Sequence, residues 1–201
     1  MGGIEDGFGD GFGGAFEDAA RVAADRRRGR GAVSNRTGRF EREARVPLGG
    51  DGWPGDGEAE APARREVLLD ASRKVIARNR SPDVPFDRSI NPYRGCEHGC
   101  IYCFARPTHA YLGLSPGLDF ETKILVKPGA AEALERELSA PSYRCAPIAM
   151  GTNTDPYQPI ERERGVTRSV LEVLSRRRHP VTIVTKGAGV TRDLDLLGEM
   201  G

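Results

Sequence analysis

The sequence contains no long apolar run. No stretch approaches the roughly 18 consecutive apolar residues that a membrane-spanning helix needs. The first residues lack the charged start and apolar stretch of a secretory signal, so we expect neither a membrane segment nor export. The formal net charge is only +1, from 30 Lys and Arg against 29 Asp and Glu. The overall charge therefore gives no reason to expect a membrane or nucleic-acid partner, and any basic surface has to be local.

Cysteine is also scarce, and it is unevenly placed. Three of the four cysteines lie within eight positions, at Cys96, Cys100 and Cys103. Such crowding is typical of a metal site in a reducing compartment, and it does not suit a disulfide framework. We therefore predict a cytoplasmic protein.

Apolar side chains are sparse in the first sixty-odd residues. Gly, Asp, Glu and Arg dominate there, and no helical or strand period is sustained. A segment of this composition cannot bury enough surface to offset the entropy lost on ordering. We predict that residues 1–64 are disordered and that residues 65–201 form the folded domain.

The second half of the chain alternates short apolar runs with amphipathic stretches. The predicted strands are Arg88–Asn91, Thr122–Lys127, Pro147–Gly151 and Val181–Thr185. The predicted helices are Phe104–Leu112, Ala130–Leu138, one that begins at its N-cap Thr167 and ends with Arg176–Arg178, and one that begins at Thr191.

This alternation implies a parallel sheet with right-handed crossovers, the α/β class. Only three or so β/α units precede Gly201, which are too few to close a barrel. We therefore expect the front half of a larger protein.

The motif most typical of a chemical function is CxxxCxxC at Cys96, Cys100 and Cys103. Three thiolates on one tight loop can each bind one iron of a cubic iron–sulfur cluster, because thiolates are the usual ligands of such clusters. Gly95 and Gly99 let the backbone fold closely around such a cluster. With three cysteines, the fourth iron keeps an open position, which is what a metal site needs for chemistry on a small molecule.

Two other metal sites are alternatives. A structural zinc site requires a fourth protein ligand, and the candidates are Cys145, His98 and His109. His98 lies inside the loop, where tetrahedral ligation is cramped. A cluster used only for electron transfer also requires a fourth cysteine.

The CxxxCxxC motif with an aromatic residue before its last cysteine resembles the signature of the radical S-adenosylmethionine (SAM) superfamily. Further stretches resemble its spore photoproduct lyase-like branch, whose members are often labelled DNA-repair photolyase-like: Ile90–Cys96, Thr154–Glu161, Thr185–Lys186 and Arg192–Leu197. The resemblance runs from about Leu68 to the end of the chain, and residues 30–35 and 38–40 share it.

This resemblance implies a partial (β/α) barrel of the radical SAM type in which Cys96, Cys100 and Cys103 hold a 4Fe–4S cluster. It implies that the open iron chelates the amino and carboxylate groups of SAM, and that reduction cleaves the sulfonium to a 5′-deoxyadenosyl radical. The implied partners are a low-potential electron donor of the flavodoxin or ferredoxin type and a substrate related to nucleic acid. Tyr102 occupies the position that helps form the adenine site in the family, although it could also be a packing aromatic.

Four more candidates follow the predicted strand Pro147–Gly151, at the edge where parallel β/α folds place ligands. They are Gly151, Thr152, Asn153 and Asp155, in a segment where the family commonly has a Gly-Gly-Glu-like motif that binds the SAM amino group. The alternative is that Asp155 merely begins a turn.

Lys186 lies past the end of the next strand. It could bind an anionic substrate or the SAM carboxylate, or it could be a solvated loop residue. Cys145 precedes its strand, so seven residues at about 3.3 Å each place it roughly 20 Å from the Thr152 end. We therefore do not expect Cys145 to be a hydrogen-donor thiol.

Two further hypotheses belong to other functional classes. The Arg-rich stretches Arg26–Arg30 and Arg176–Arg178 are compatible with a nucleic-acid-binding module that carries a structural metal. An incomplete barrel could also be inactive, because it exposes an unpaired strand edge.

Overall fold

A computed structural model of the protein describes residues 21–22, 24, 26–43 and 63–201. The strands are β1 (Glu66–Leu69), β2 (Ile76–Arg78), β3 (Arg88–Ile90), β4 (Tyr93–Arg94), β5 (Lys123–Val126), β6 (Ile148–Met150) and β7 (Val181–Ile183). The α-helices are α1 (Leu118–Thr122), α2 (Ala130–Leu138), α3 (Glu161–Arg164), α4 (Val166–Arg176) and α5 (Leu194–Met200). Two 3₁₀ helices cover Arg106–Leu112 and Ala188–Asp193.

The strands form two small sheets. One has the order β2-β3-β6-β7, in which β3, β6 and β7 are parallel and β2 is an antiparallel edge strand. The other has the order β1-β5-β4. Within the described ranges neither sheet closes on itself, and the partial barrel stays a prediction. Every helix in the described part of the chain falls short of the length and apolarity needed to cross a bilayer.

The direction of β5 differs from the sequence prediction. The Thr122–Lys127 strand was expected to join the parallel sheet, but β5 pairs parallel with β1 and antiparallel with β4. The segment that joins β4 to β5 has its two ends close together, because the Cys96 amide donates to the Phe120 carbonyl at 2.9 Å. β5 therefore starts beside the point where β4 ends, as in a wide hairpin.

The main core lies between the parallel strands and two helices. Apolar side chains of β3 and β6 pack with the apolar faces of α2 and α4, and the most deeply buried are Ile90, Ile148, Met150, Leu134, Leu171 and Leu174. Helix α4 begins at Val166, so the predicted N-cap at Thr167 is wrong. The Thr167 hydroxyl instead donates to the Pro156 carbonyl at 2.5 Å, which fixes the helix to the preceding loop.

The described part of the N-terminal segment is packed, in contrast to the disorder predicted for residues 1–64. Val22 and Ala32 form a small apolar cluster with Leu118. Asn35 Oδ1 accepts the Asp119 amide at 2.9 Å, and Asn35 Nδ2 donates to Asp119 Oδ1 at 3.1 Å. Backbone and amide hydrogen bonds order this segment, which its low apolar content did not indicate. Residues 1–20, 23, 25 and 44–62 lie outside the described residues.

Removing a core leucine tests this packing. Leu171→Ala in α4 is expected to lower the free energy of unfolding by about 2–5 kcal/mol, because the fully buried side chain leaves a cavity. The matched control is Leu194→Ala in α5, where the side chain is 60% exposed and the change stays within about 0.5 kcal/mol. Urea denaturation measures both, and equal losses in the two variants contradict the assigned core.

Candidate functional site

The cysteine loop follows β4 and lines a cavity of about 240 Å³. Cys96 is buried, Cys100 and Cys103 are half-buried, and all four cysteines of the chain are free thiols. The carboxyl ends of β6 and β7 face the loop across this cavity. Eight of the nine sequence-predicted site residues line it: Cys96, Cys100, Cys103, Tyr102, Gly151, Thr152, Asp155 and Lys186.

Asn153 is the predicted residue that the structure places elsewhere. This residue lines a neighbouring cavity of about 210 Å³, together with Asn91, Arg94 and Lys127. Its amide donates to Asn91 Oδ1 at 2.9 Å, while Asn91 Nδ2 donates to the Thr152 hydroxyl at 2.9 Å. Successive residues after a strand diverge in direction, so Thr152 and Asn153 reach different cavities. Cys145 is exposed and lies outside the cavity lining.

Asp155 connects the segments that follow β6 and β7. Its Oδ1 accepts the Tyr157 amide at 2.8 Å and the Thr185 hydroxyl at 2.6 Å, and its Oδ2 accepts the Lys186 amide at 2.9 Å. The bond to the amide two residues ahead is the turn geometry of the alternative interpretation. The carboxylate of Asp155 therefore positions Lys186 and the cavity wall.

Two titratable side chains, Lys186 and His98, line the cavity together with the thiols. Lys186 Nζ donates to Cys100 Sγ at 3.1 Å, and this bond raises the pKa of Lys186. Burial lowers the pKa of His98, whose Nε2 lies 3.4 Å from Asp155 Oδ2 and makes no hydrogen bond to the described residues. The site thus places one ammonium on a sulfur and one neutral imidazole at the cavity wall.

Cys96 is the most protected thiol of the loop. Burial raises its pKa to about 12, and the backbone amides of His98 and Asp155 counter this only in part. A buried thiol of this kind becomes a thiolate when a cation is next to it, as in metal ligation. The Cys96 environment therefore suits a metal-bound sulfur better than a reactive nucleophile.

The residues that hold the start of the loop were not among the candidates predicted from the sequence. The Gly95 carbonyl accepts hydrogen bonds from the Thr154 hydroxyl at 2.6 Å and from Gln158 Nε2 at 3.1 Å. Gln158 Oε1 accepts the Glu97 amide at 3.0 Å, and Glu97 Oε2 accepts the Ile160 amide at 2.9 Å. The Thr154–Glu161 stretch is therefore a support for the cysteine loop. The available signal was the pair of polar residues, Thr154 and Gln158, between a strand and a helix.

No single-ion site is preformed in the part of the chain that the structure describes, where no three His, Cys, Asp or Glu side chains converge on one point. A zinc ion requires such convergence, with sulfur ligands at about 2.3 Å. A cubane differs, because each thiolate binds a different iron corner.

Comparison with known proteins finds similar chains but no assigned function. A protein of Mycobacterium tuberculosis and one of Mycobacterium bovis, both described as uncharacterized, are 45% identical over 126 residues, which is 61% of this chain and 37% of theirs. An uncharacterized protein of Methanocaldococcus jannaschii is 27% identical over 131 residues, 65% of this chain and 46% of its own. The chain thus spans less than half the length of these relatives. No family model and no solved structure matches.

The hydrogen bond from Thr154 to Gly95 is testable with a matched pair of variants. Thr154→Val removes the donor from a buried site and is expected to lower the free energy of unfolding by about 0.5–1.5 kcal/mol. Thr182→Val changes an exposed side chain of β7 and stays within about 0.5 kcal/mol. Denaturation gives both values, and hydrogen exchange at the Glu97 amide should accelerate only in Thr154→Val. An unaltered Glu97 amide contradicts the role of Thr154.

His109 predicts a pH dependence of stability. The ring is fully buried, its Nε2 lies 3.0 Å from the Lys123 carbonyl, and burial lowers its pKa. The unfolded chain binds a proton at about pH 6.5, where the folded ring stays neutral, so stability is present above this pH and is lost as the pH falls toward the folded pKa. Denaturation at pH 7.5 and 5.5 should show a smaller loss for His109→Gln than for the parent chain. An equal loss contradicts this role.

Proposed function

We propose that this chain is the cluster-binding part of a radical SAM enzyme, with a 4Fe–4S cluster on Cys96, Cys100 and Cys103. One observation carries the proposal: all three thiols of one loop share a single cavity with the polar carboxyl ends of two parallel strands. Ligand sites of parallel β/α folds lie at this edge. Because the chain spans less than half of its relatives, the activity, substrate and partners of the whole protein belong to the proposal.

The donor set of the loop fits such a cluster. Three free cysteines can ligate three of the four irons as thiolates, which leaves the fourth iron with an open coordination position for a small molecule. When bound, the cluster and SAM would supply one-electron cleavage of the sulfonium to a 5′-deoxyadenosyl radical. The amides of His98 and Asp155 and the ammonium of Lys186 donate to sulfur, and such bonds tune a cluster's potential.

The remaining cavity residues suit the binding of SAM. Tyr102 is 81% exposed at the cavity wall, where its ring can contact an adenine. Gly151 has φ +91°, and a Cβ there would lie 2.1 Å from the Val184 carbonyl, so glycine allows the ends of β6 and β7 to approach. Thr152 and Lys186 offer a hydroxyl and a cation to the polar end of SAM. Asn153 is left out because it lines the neighbouring cavity.

The cellular setting follows from the chemistry. Free thiols at all four cysteines suit a reducing compartment, so the proposal includes the cytoplasm. Reduction of the cluster requires a low-potential donor of the flavodoxin or ferredoxin type. The substrate related to nucleic acid rests on the family resemblance alone.

The nucleic-acid-binding alternative has less support. Part of its arginine set is already engaged within the chain, since Arg177 pairs with the Glu135 carboxylate, its Nε donating at 2.9 Å, and Arg30 donates to the Glu121 backbone carbonyl at 2.7 Å. Phosphate binding through these arginines would fall steeply with salt, whereas SAM cleavage requires no nucleic acid. The inactive-fragment alternative is decided by the activity assay.

Single cysteine variants test the proposal. After anaerobic reconstitution, the parent chain should hold about four irons and form 5′-deoxyadenosine from SAM when reduced. Cys96→Ala, Cys100→Ala and Cys103→Ala should each lose the intact cluster and the cleavage. Cys145→Ala is the matched control and should keep both, because this thiol is exposed outside the cavity.

A full cluster with SAM cleavage in Cys100→Ala contradicts the ligand assignment. A cluster in the parent chain without any SAM cleavage supports the inactive-fragment alternative. Iron analysis, absorbance and chromatography of the nucleoside product provide these readouts.

A further inference from the structure

A segment far away in sequence lies directly against the cysteine loop. We name residues 30–35 the N-terminal strap. Near its start, a Cβ added to Gly31 would lie 1.9 Å from the Gly99 carbonyl oxygen, so the two backbones are in direct contact. Gly99 itself has φ +62°, the left-handed conformation that other residues rarely adopt. The strap therefore contacts the loop at the residue that precedes Cys100.

A buried carboxylate fixes the strap in place. Glu121 is fully buried, and its Oε2 accepts the Gly31 amide at 3.0 Å. Its backbone carbonyl accepts Arg30 Nη1 at 2.7 Å. Its Oε1 pairs with Arg106, whose side chain is also largely buried. Because a carboxylate is costly to bury without partners, the bonds from the strap and from Arg106 both stabilise Glu121 at this position.

Arg106 continues this network to a cysteine. Its Nε and Nη2 donate to the Cys100 carbonyl at 3.2 and 2.9 Å, and its Nη1 donates to the Gly117 carbonyl at 3.2 Å. A guanidinium forms such planar, multiple contacts with little loss of freedom. Cys96 is held by other groups, since its amide donates to Phe120 and the preceding carbonyl bonds to Thr154 and Gln158. The strap network thus reaches Cys100 and bypasses Cys96.

We propose that Gly31, Glu121 and Arg106 are positioning residues for Cys100. Together they hold the Gly99–Cys100 turn, whereas Thr154 and Gln158 hold Gly95, and so they fix the direction of one of the three thiols. The bearing on cluster binding rests on the function proposed above, whereas the effect on the thiol itself does not.

The first experiment uses the metal-free chain and measures alkylation of each cysteine by mass spectrometry. Gly31→Ala forces the strap away from Gly99, and Glu121→Gln removes the charge opposite Arg106. Each is expected to raise the alkylation rate of Cys100 about tenfold relative to Cys145, a local loss of about 1.4 kcal/mol. The Cys96 rate should change less than twofold. The matched control is Gly198→Ala, where a Cβ meets open space.

The second experiment measures iron loss from the reconstituted chain to a chelator. Loss of a group that holds a metal ligand in place typically weakens metal binding about 10- to 100-fold. We therefore expect Gly31→Ala and Glu121→Gln to lose iron about 10 to 100 times more readily than the parent chain, and Gly198→Ala to lose it as the parent does. If Gly31→Ala does not fold by circular dichroism, the isosteric Glu121→Gln decides the outcome.

The possible failures are distinguishable. If Gly31→Ala and Glu121→Gln show the same Cys100 alkylation rate and the same iron retention as Gly198→Ala, the positioning role is overturned and the proposed function is unaffected. Equal acceleration at Cys96 and Cys100 also overturns it, because the change is then not specific to one cysteine. A parent chain that takes up no cluster contradicts the proposed function, and alkylation alone then decides the role of the strap.

Discussion

Three cysteines on an eight-residue loop can act together only if the loop backbone is held in one conformation. This constraint explains much of the molecule. On one side, the Gly95 carbonyl is bound by Thr154 and Gln158 from the segment after β6. On the other side, Arg106 binds the Cys100 carbonyl and is itself paired with the buried Glu121. The loop is thus supported at its start and in its middle by polar side chains, and each of these side chains has further hydrogen-bond partners of its own.

The two sheets place these supports. The closure of Cys96 onto Phe120 turns β5 beside β4, and α1 immediately before β5 carries Glu121 underneath the loop. The segments that follow the parallel strands β6 and β7 place Asp155 and Lys186 at the cavity. The cavity lies between the cysteine loop and the segments that follow β6 and β7. Its cysteines, the Thr152 hydroxyl and the Lys186 ammonium therefore come from separate segments of the chain.

How much the sequence could predict depended on the range of the interaction. The cysteine motif is local, and the carboxyl ends of parallel strands meet by a general rule, so eight of the nine candidates share the cavity. Asn153 was misplaced because sequence position alone does not give side-chain direction after a strand. The direction of β5 depended on one hydrogen bond between Cys96 and Phe120, and the strap on a contact between glycines 68 positions apart, at Gly31 and Gly99. Neither leaves an apolar period in the sequence.

The cysteine loop is proposed to bind a cluster with one iron open to SAM. Electron paramagnetic resonance of the reconstituted, reduced chain with and without SAM tests it most directly. We expect the signal of one 4Fe–4S cluster per chain, with g values that shift when SAM is added, because SAM would occupy the open iron. A chain that assembles no cluster, or a cluster whose signal is identical with and without SAM, would contradict it.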